Sequence, residues 1–138
     1  MINQDIIHLL NQQTRYFQKE LNNLLNDHGL YAAQWSIIFC IDKFGPMTQT
    51  DIWKYLNVEA PTMTRTLSRM EKNGWIIRKQ GVDKRERVIE LTEFAKNEYR
   101  ILRDKIDRFE ERMLGGLSET EKEQLKILLL KLKATGEK

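Results

Sequence analysis

Apolar and polar positions follow a helical period through most of the chain and a strand-like pattern in one short region. Apolar residues spaced three and four apart predict helices over about residues 5–26, 32–44, 49–56, 59–73, 93–114 and 119–134. Between the fourth and fifth of these helices, the β-rich runs 75–79 and 87–91 flank a charged turn and predict a two-stranded hairpin. We therefore expect a mainly helical α+β fold with about six helices and one β-hairpin.

Residues that favour helix ends mark several of these boundaries. Gly29 and Gly74 follow apolar periodic runs, where glycine tolerates the left-handed conformation of a C-terminal cap. Asn57 is suited to a similar left-handed turn between the third and fourth helices. Hydroxyl residues predict three N-caps, at Thr48, Thr92 and Ser118, the last within a Ser-x-x-Glu capping box.

The helix predicted over 59–73 has two chemically different faces. Its apolar stripe repeats at helical spacing through Met63, Leu67 and Met70. Its opposite face carries hydroxyls and cations and no carboxylate: Thr62, Arg65, Thr66, Arg69 and Lys72. Such a face suits phosphates and base edges of nucleic acid. A helix followed by a hairpin with a basic tip indicates a winged helix-turn-helix.

Positive charge is concentrated in this same region. From residue 61 to residue 90, eight cations and four anions give a net charge of +4, against +3 for the whole chain. A local excess is the electrostatic footprint expected of a phosphate-binding surface. A solvated helix face beside an ordinary charged hairpin is the alternative, and the combination of charge, helix stop and hairpin favours DNA.

A set of short motifs follows in order along the chain from Leu30 to about Ala95. The motifs are Gln34-Trp35-Ser36-Ile37, Thr48-Gln49-Thr50-Asp51-Ile52, Leu56-Asn57-Val58, Thr62-Met63-Thr64-Arg65, Met70-Glu71-Lys72-Asn73-Gly74-Trp75-Ile76, and Asp83-Lys84-Arg85 followed by Val88, Leu91 and Thr92. This ordered set resembles the MarR family of bacterial winged-helix regulators. The Asp-x-Arg wing is the most specific of the motifs, and the family's long flanking helices extend the resemblance to the full chain.

The resemblance implies a homodimeric transcription regulator, most often a repressor, that reads a pseudo-palindrome in double-stranded DNA. The helix over 59–73 would enter the major groove as the recognition helix, and Arg85, braced by Asp83, would enter the minor groove. The residues expected to bind DNA are Thr48, Gln49, Thr62, Thr64, Arg65, Ser68, Arg69, Lys72, Lys79, Asp83, Lys84, Arg85 and Arg87. Two residues depart from the family pattern: Glu59 replaces the usual serine cap, and Trp53 replaces a small residue.

The resemblance also implies release by a small aromatic or amphipathic effector bound between the DNA-binding head and the dimer helices. Five aromatic residues are candidates to line such a pocket: Tyr16, Phe17, Trp35, Phe39 and Trp53. Aromatic residues at helical spacing also build cores, and Trp53 in particular fits either core packing or a pocket wall.

We expect one structural unit over 1–138, with a winged-helix DNA-binding part at 30–92 and helical dimerisation parts at 1–29 and 93–138. The last helix carries apolar residues on more than one side, through Ile127, Leu128, Leu129 and Leu130. A terminal helix of a small domain cannot bury all of these alone, so a second copy is the expected partner. Packing within one chain is the alternative.

Composition narrows the remaining classes of protein. No segment approaches the ~20 apolar residues of a membrane span, and the N-terminus lacks a signal-type run, so we expect a cytoplasmic protein with no membrane partner. Cys40, the single cysteine, fits a buried small hydrophobe better than a redox sensor. His8 and His28 lie far apart in sequence without other ligands nearby, so we expect no metal.

The sequence contains no clustered set of His, Cys, Asp and Glu residues, no Gly-rich phosphate loop and no nucleophile elbow, so we expect neither an enzyme nor a cofactor. A winged-helix module that binds another regulator is the competing function. Salt-sensitive binding to random duplex separates that module from a DNA-binding protein.

Overall fold

In the computed structural model, which describes residues 1–135 and the side chains of 1–132, six α-helices and three short strands follow one another along the chain. The expected helices and hairpin are confirmed. The elements are α1 (Ile2–Leu25), a single 3-10 turn (Asn26–His28), α2 (Ala32–Phe44), β1 (Met47–Thr48), α3 (Gln49–Leu56), α4 (Ala60–Lys72), β2 (Ile76–Gln80), β3 (Arg87–Leu91), α5 (Glu93–Met113) and α6 (Glu119–Thr135).

The contacts divide the chain into two compact units, Met1–Leu102 and the part from Arg103 onward. This division lies within α5 and follows packing density within each unit. The predicted partition into a DNA-binding part at 30–92 and dimerisation parts on either side concerns function and stays a prediction.

The sheet has three antiparallel strands in the order β1-β3-β2. The predicted hairpin pairs β2 with β3 from Ile76↔Leu91 to Gln80↔Arg87. The third strand, β1, was not predicted; it pairs Met47 with Ile89 along the other edge of β3. A two-residue strand shows no periodicity in the sequence, and only its partner β3, whose edge would otherwise be unpaired, brings it into the sheet.

The helix ends predicted from sequence are confirmed by the backbone. Gly29, Asn57 and Gly74 have φ values of 72°, 57° and 84°. Thr48 accepts the Asp51 N–H at 3.1 Å and Thr92 accepts the Ala95 N–H at 3.1 Å, so both cap helices.

The C-terminus of α4 forms a Schellman motif. The Trp75 N–H donates to the Met70 carbonyl at 2.9 Å, and the Gly74 N–H donates to the Glu71 carbonyl at 3.2 Å. Met70 and Trp75 are both buried, as the apolar residues at these two positions of the motif commonly are. The motif fixes the direction in which the chain leaves α4 for the first strand of the wing.

The core of the first unit is built from α2, the inner stripe of α4 and the sheet. On α2, Ile37, Ile38 and Cys40 are buried, as expected for a helix that is apolar almost all round. The Ile76 and Ile89 side chains of the two wing strands are buried as well. Among the described residues, no helix combines the length and apolar character needed to cross a membrane.

Candidate nucleic-acid interface

The outer face of α4 is set by the burial of its inner face. Met63, Leu67 and Met70 are buried, with Leu67 at 0% exposure, so the roll of the helix about its axis is fixed. Thr62, Arg65, Thr64, Ser68, Arg69 and Lys72 are exposed as a consequence, and Thr66 is half-buried. The predicted division of α4 into an apolar face and a polar cationic face is confirmed.

Two hydroxyls of α4 are already hydrogen-bonded to side chains outside the helix. Gln49, at the start of α3, donates a hydrogen bond from its Nε2 to Thr64 Oγ1 over 2.9 Å. The Thr64 hydroxyl in turn donates to the Ala60 carbonyl at 3.0 Å. Arg78, in the wing strand β2, donates a hydrogen bond from its Nη2 to Ser68 Oγ over 3.0 Å. Gln49, Thr64 and Ser68, all predicted to bind DNA, therefore also join α4 to its neighbours.

The two departures from the family pattern lie on α3 and at the start of α4. Glu59 is the N-cap residue and makes no capping hydrogen bond through its side chain, while Pro61 lies in the first turn, where its missing N–H is tolerated. Trp53 on α3 is half-buried, with Lys54 Nζ 5.9 Å from its ring centre.

The tip of the wing is an ordered turn. Asp83 Oδ1 accepts the backbone N–H of Arg85 at 3.0 Å, and the Glu86 N–H donates to the Asp83 carbonyl at 2.9 Å. The Gly81 N–H closes the turn on the Glu86 carbonyl at 3.1 Å. Asp83 thus acts on the backbone of Arg85 and leaves the exposed guanidinium of Arg85 unconstrained by that carboxylate.

Most cations of this surface have no carboxylate partner. Lys79 pairs with Glu90 Oε2 at 3.2 Å, and Arg78 Nε lies 3.6 Å from Glu71 Oε1. Within residues 1–132, no ion pair engages the other cations of the α4 and wing surface, namely Arg65, Arg69, Lys72, Lys84, Arg85 and Arg87. These six cations outnumber the two anions of the same region that form no ion pair among the described side chains, Asp83 and Glu86, and the resulting positive potential attracts phosphate. The predicted phosphate contact Lys79 differs from them because Glu90 already neutralises it.

A concave surface joins the start of α3 to the wing. One side of this cavity, of about 650 Å³, belongs to the start of α3 and the other to the wing. The lining residues are Thr48, Gln49, Thr50, Asp51 and Trp53 on the first side and Arg85, Glu86 and Arg87 on the second. Thr48, which caps α3, and the two wing arginines were predicted to bind DNA, and the fold brings them to one surface.

A second notch, of about 270 Å³, lies between the start of α2 and the outer face of α4. Its walls include Tyr31, Arg65 and Arg69.

Tyr31 and Arg78 were not among the residues predicted to bind DNA. Tyr31 immediately precedes a helix and Arg78 lies in a wing strand, so their places in the sequence give only weak indications of a role.

The five aromatic residues proposed to line an effector pocket lie in different surroundings. Trp35 is buried and stacks on Tyr99 with ring centroids 5.1 Å apart. The Tyr16 and Phe17 rings lie 6.2 Å apart on α1, and Lys43 Nζ lies 5.7 Å from the Phe39 ring. Trp53 faces the cavity beside the wing. The effector pocket stays a prediction.

Cys40 lies in the core at 1% exposure. Burial raises the pKa of its thiol, and the positive charge of Lys43 opposes that rise only in part. A buried thiol with a raised pKa holds less thiolate at neutral pH, which favours the interpretation of Cys40 as a packing residue. In the described part of the chain, no group of three or more His, Cys, Asp or Glu side chains could hold a metal ion.

Comparison with known proteins gives consistent results. The model of the MarR family matches residues 30–86. The chain is 47% identical over 122 residues to YwoH of Bacillus subtilis, an uncharacterized HTH-type transcriptional regulator, with 88% of this chain and 89% of that protein covered. The structure resembles that of the transcriptional regulator SlyA with a TM-score of 0.86 and 25% identity, covering 95% of this chain and 93% of that one.

A structure of an E. coli MarR mutant in complex with operator DNA is also similar in fold. Its TM-score is 0.79 at 22% identity, with 93% of each chain covered. At that identity the likeness concerns the fold alone.

Proposed function

Because this chain belongs to the MarR family of DNA-binding transcriptional regulators, we propose that it acts as a homodimeric repressor of a pseudo-palindromic operator. The observation that carries this proposal is the outer surface of α4 and the wing, where six cations lack carboxylate partners among the described side chains. The similar fold of a MarR mutant in complex with operator DNA supports it.

In this proposal α4 enters the major groove, which at about 12 Å wide accepts one helix. Arg65, Arg69 and Lys72 are exposed on α4 and can reach bases and phosphates on either side of the groove. The ordered turn between Gly81 and Glu86 presents Arg85 to the adjacent minor groove, where a narrow A·T-rich groove attracts a guanidinium.

Exposed apolar residues on the terminal helices support the dimer. On α6, Ile127, Leu128, Leu129 and Leu130 are all at least 44% exposed in the single chain. At the start of α1, Ile6 and Ile7 are exposed as well. A second copy would cover these faces by two-fold symmetry and place two α4 helices about one DNA turn apart.

We further propose that a small aromatic or amphipathic effector weakens DNA binding. A ligand that binds one spacing of the two heads more tightly than another shifts the population toward that spacing. Trp53 lines a cavity beside the wing arginines, a surface that the proposal also assigns to DNA, so a ligand bound there would compete directly with the duplex.

Fluorescence anisotropy with duplex DNA across a salt series tests the DNA surface. Arg69→Ala and Arg85→Ala should each weaken binding and lower the salt slope by about 1, because each removes one phosphate or groove contact. Arg100→Ala, on the exposed surface of α5 and outside the α4–wing surface, is the matched control. Unchanged affinity and slope in both test variants would refute the proposed surface. Absence of duplex binding by the wild type, even at low salt, would favour a protein-binding module.

A further inference from the structure

Arg78 connects the wing to the recognition helix α4. It lies in β2, opposite Ile89 of β3, and extends toward the last two turns of α4. There its Nη2 donates to Ser68 Oγ at 3.0 Å, and its Nε lies 3.6 Å from Glu71 Oε1. One guanidinium therefore contacts two α4 residues that lie on the same side of the helix, three positions apart.

The surroundings of Arg78 differ from those of the other cations on this surface. Its side chain is 19% exposed, and its Nε is buried without a hydrogen bond inside the described part of the chain. A separation of 3.6 Å is too long for a hydrogen bond, and the attraction between the two opposite charges is partly screened because the Glu71 side chain is half exposed. The Glu71 carboxylate thus compensates a guanidinium that has little access to solvent or to phosphate.

We propose that Arg78 is a positioning residue that holds the wing and the recognition helix in one fixed relation, so that both can engage a single stretch of duplex. This inference rests on the proposed DNA-binding function. In this role Arg78 acts through Ser68 and Glu71 and contacts no DNA. Because a guanidinium offers several donors in a rigid plane, arginine binds two partners in a fixed geometry, whereas the rotatable ammonium group of lysine does not fix their relative direction.

A second contact supports the same idea one helical turn earlier on the same side of α4. Gln49 of α3 donates to Thr64, one helical turn before Ser68 on α4. The hydroxyls of Thr64 and Ser68 are thereby tied to the elements before and after α4. The cationic outer face, with Arg65, Arg69 and Lys72, stays available for DNA.

The direction in which Glu71→Gln changes DNA affinity distinguishes a positioning role of Arg78 from direct DNA contact. Glu71→Gln removes a negative charge beside the DNA surface, which by electrostatics alone should strengthen binding to any duplex. If Arg78 positions the wing through Glu71, the same substitution should weaken cognate binding. Glu59→Gln removes an equal charge at the other end of α4, where no ion pair of the described side chains engages Glu59, and should tighten binding or leave it unchanged.

The experiment measures affinity for a selected cognate duplex and for random duplex, across a salt series, for the wild type, Arg78→Lys, Glu71→Gln and Glu59→Gln. We expect Arg78→Lys and Glu71→Gln to reduce the ratio of cognate to random affinity by about tenfold, with the wild-type salt slope retained. The slope is retained because no phosphate contact is lost. Glu71 is half exposed, so Glu71→Gln is expected to fold even if a change at Arg78 is not tolerated.

The proposal would be overturned if Glu71→Gln bound the cognate duplex more tightly than the wild type and Arg78→Lys bound it with wild-type affinity. Arg78 would then be an ordinary phosphate contact. Urea unfolding of the two single variants and the double variant gives an independent measurement in the absence of DNA. We expect coupling of about threefold in the unfolding equilibrium constant, and additivity of the two changes would refute the link. A wild type that binds no duplex but shows this coupling would refute the proposed function and leave the contact between wing and helix intact.

Discussion

Gly74 joins α4 to the wing, and its replacement tests whether backbone geometry alone defines that junction. Its φ is 84°, and a Cβ added there would meet no atom within 4 Å. Gly74→Ala therefore costs only the left-handed conformation, about 1–2 kcal/mol. Lower entropy of the unfolded chain returns about 0.4–1 kcal/mol. We expect a net loss near 1 kcal/mol in the free energy of unfolding.

Gly116→Ala is the matched control for this substitution. An added Cβ at Gly116 also meets nothing within 4 Å, but Gly116 lacks a positive φ. Gly116→Ala should therefore stabilise the protein by about 0.4–1 kcal/mol. Urea unfolding at one fixed protein concentration measures both variants, since dimerisation would make stability depend on concentration. Equal stability of the two variants would refute the reasoning, because it would mean that the left-handed backbone at Gly74 carries no cost.

Two further predictions concern the core and the terminal helix. Cys40 should react with a thiol reagent at pH 8 at least about tenfold more slowly in the folded protein than in urea, because burial restricts access and the raised pKa reduces thiolate; equal rates would contradict its burial. Leu129→Glu places a charge on the exposed apolar face of α6 and should convert a dimer into a monomer in gel filtration at micromolar concentration. An unchanged dimer mass would exclude that part of α6 from the interface.

The sequence predicted those features that local chemistry determines. Gly74 ends α4 because few other residues tolerate its φ, and Met63, Leu67 and Met70 fix the buried face through helical spacing alone. Asn57 forms the predicted left-handed turn for a similar reason. Each of these features depends on residues within one or two helical turns, so periodicity and capping preferences were sufficient to identify them.

Features that depend on distant partners were not predicted. The strand β1 forms through pairing of Met47 with Ile89, more than forty positions later in the chain. Arg78 counted as one more cation of a basic surface, yet its contacts with Ser68 and Glu71 separate it from the unpaired arginines. Asp83 was expected to brace Arg85, and in the structure it does so by accepting a hydrogen bond from the backbone N–H of Arg85. Charge and composition do not reveal which polar groups pair.

Selection of bound sequences from a random pool of duplex DNA, with the full chain, tests most directly whether two copies read one operator. The proposed function predicts a pseudo-palindrome whose half-sites lie about 10 base pairs apart, matching two α4 helices related by a two-fold axis. An enriched site without internal symmetry, or no enrichment over the starting pool, would contradict it.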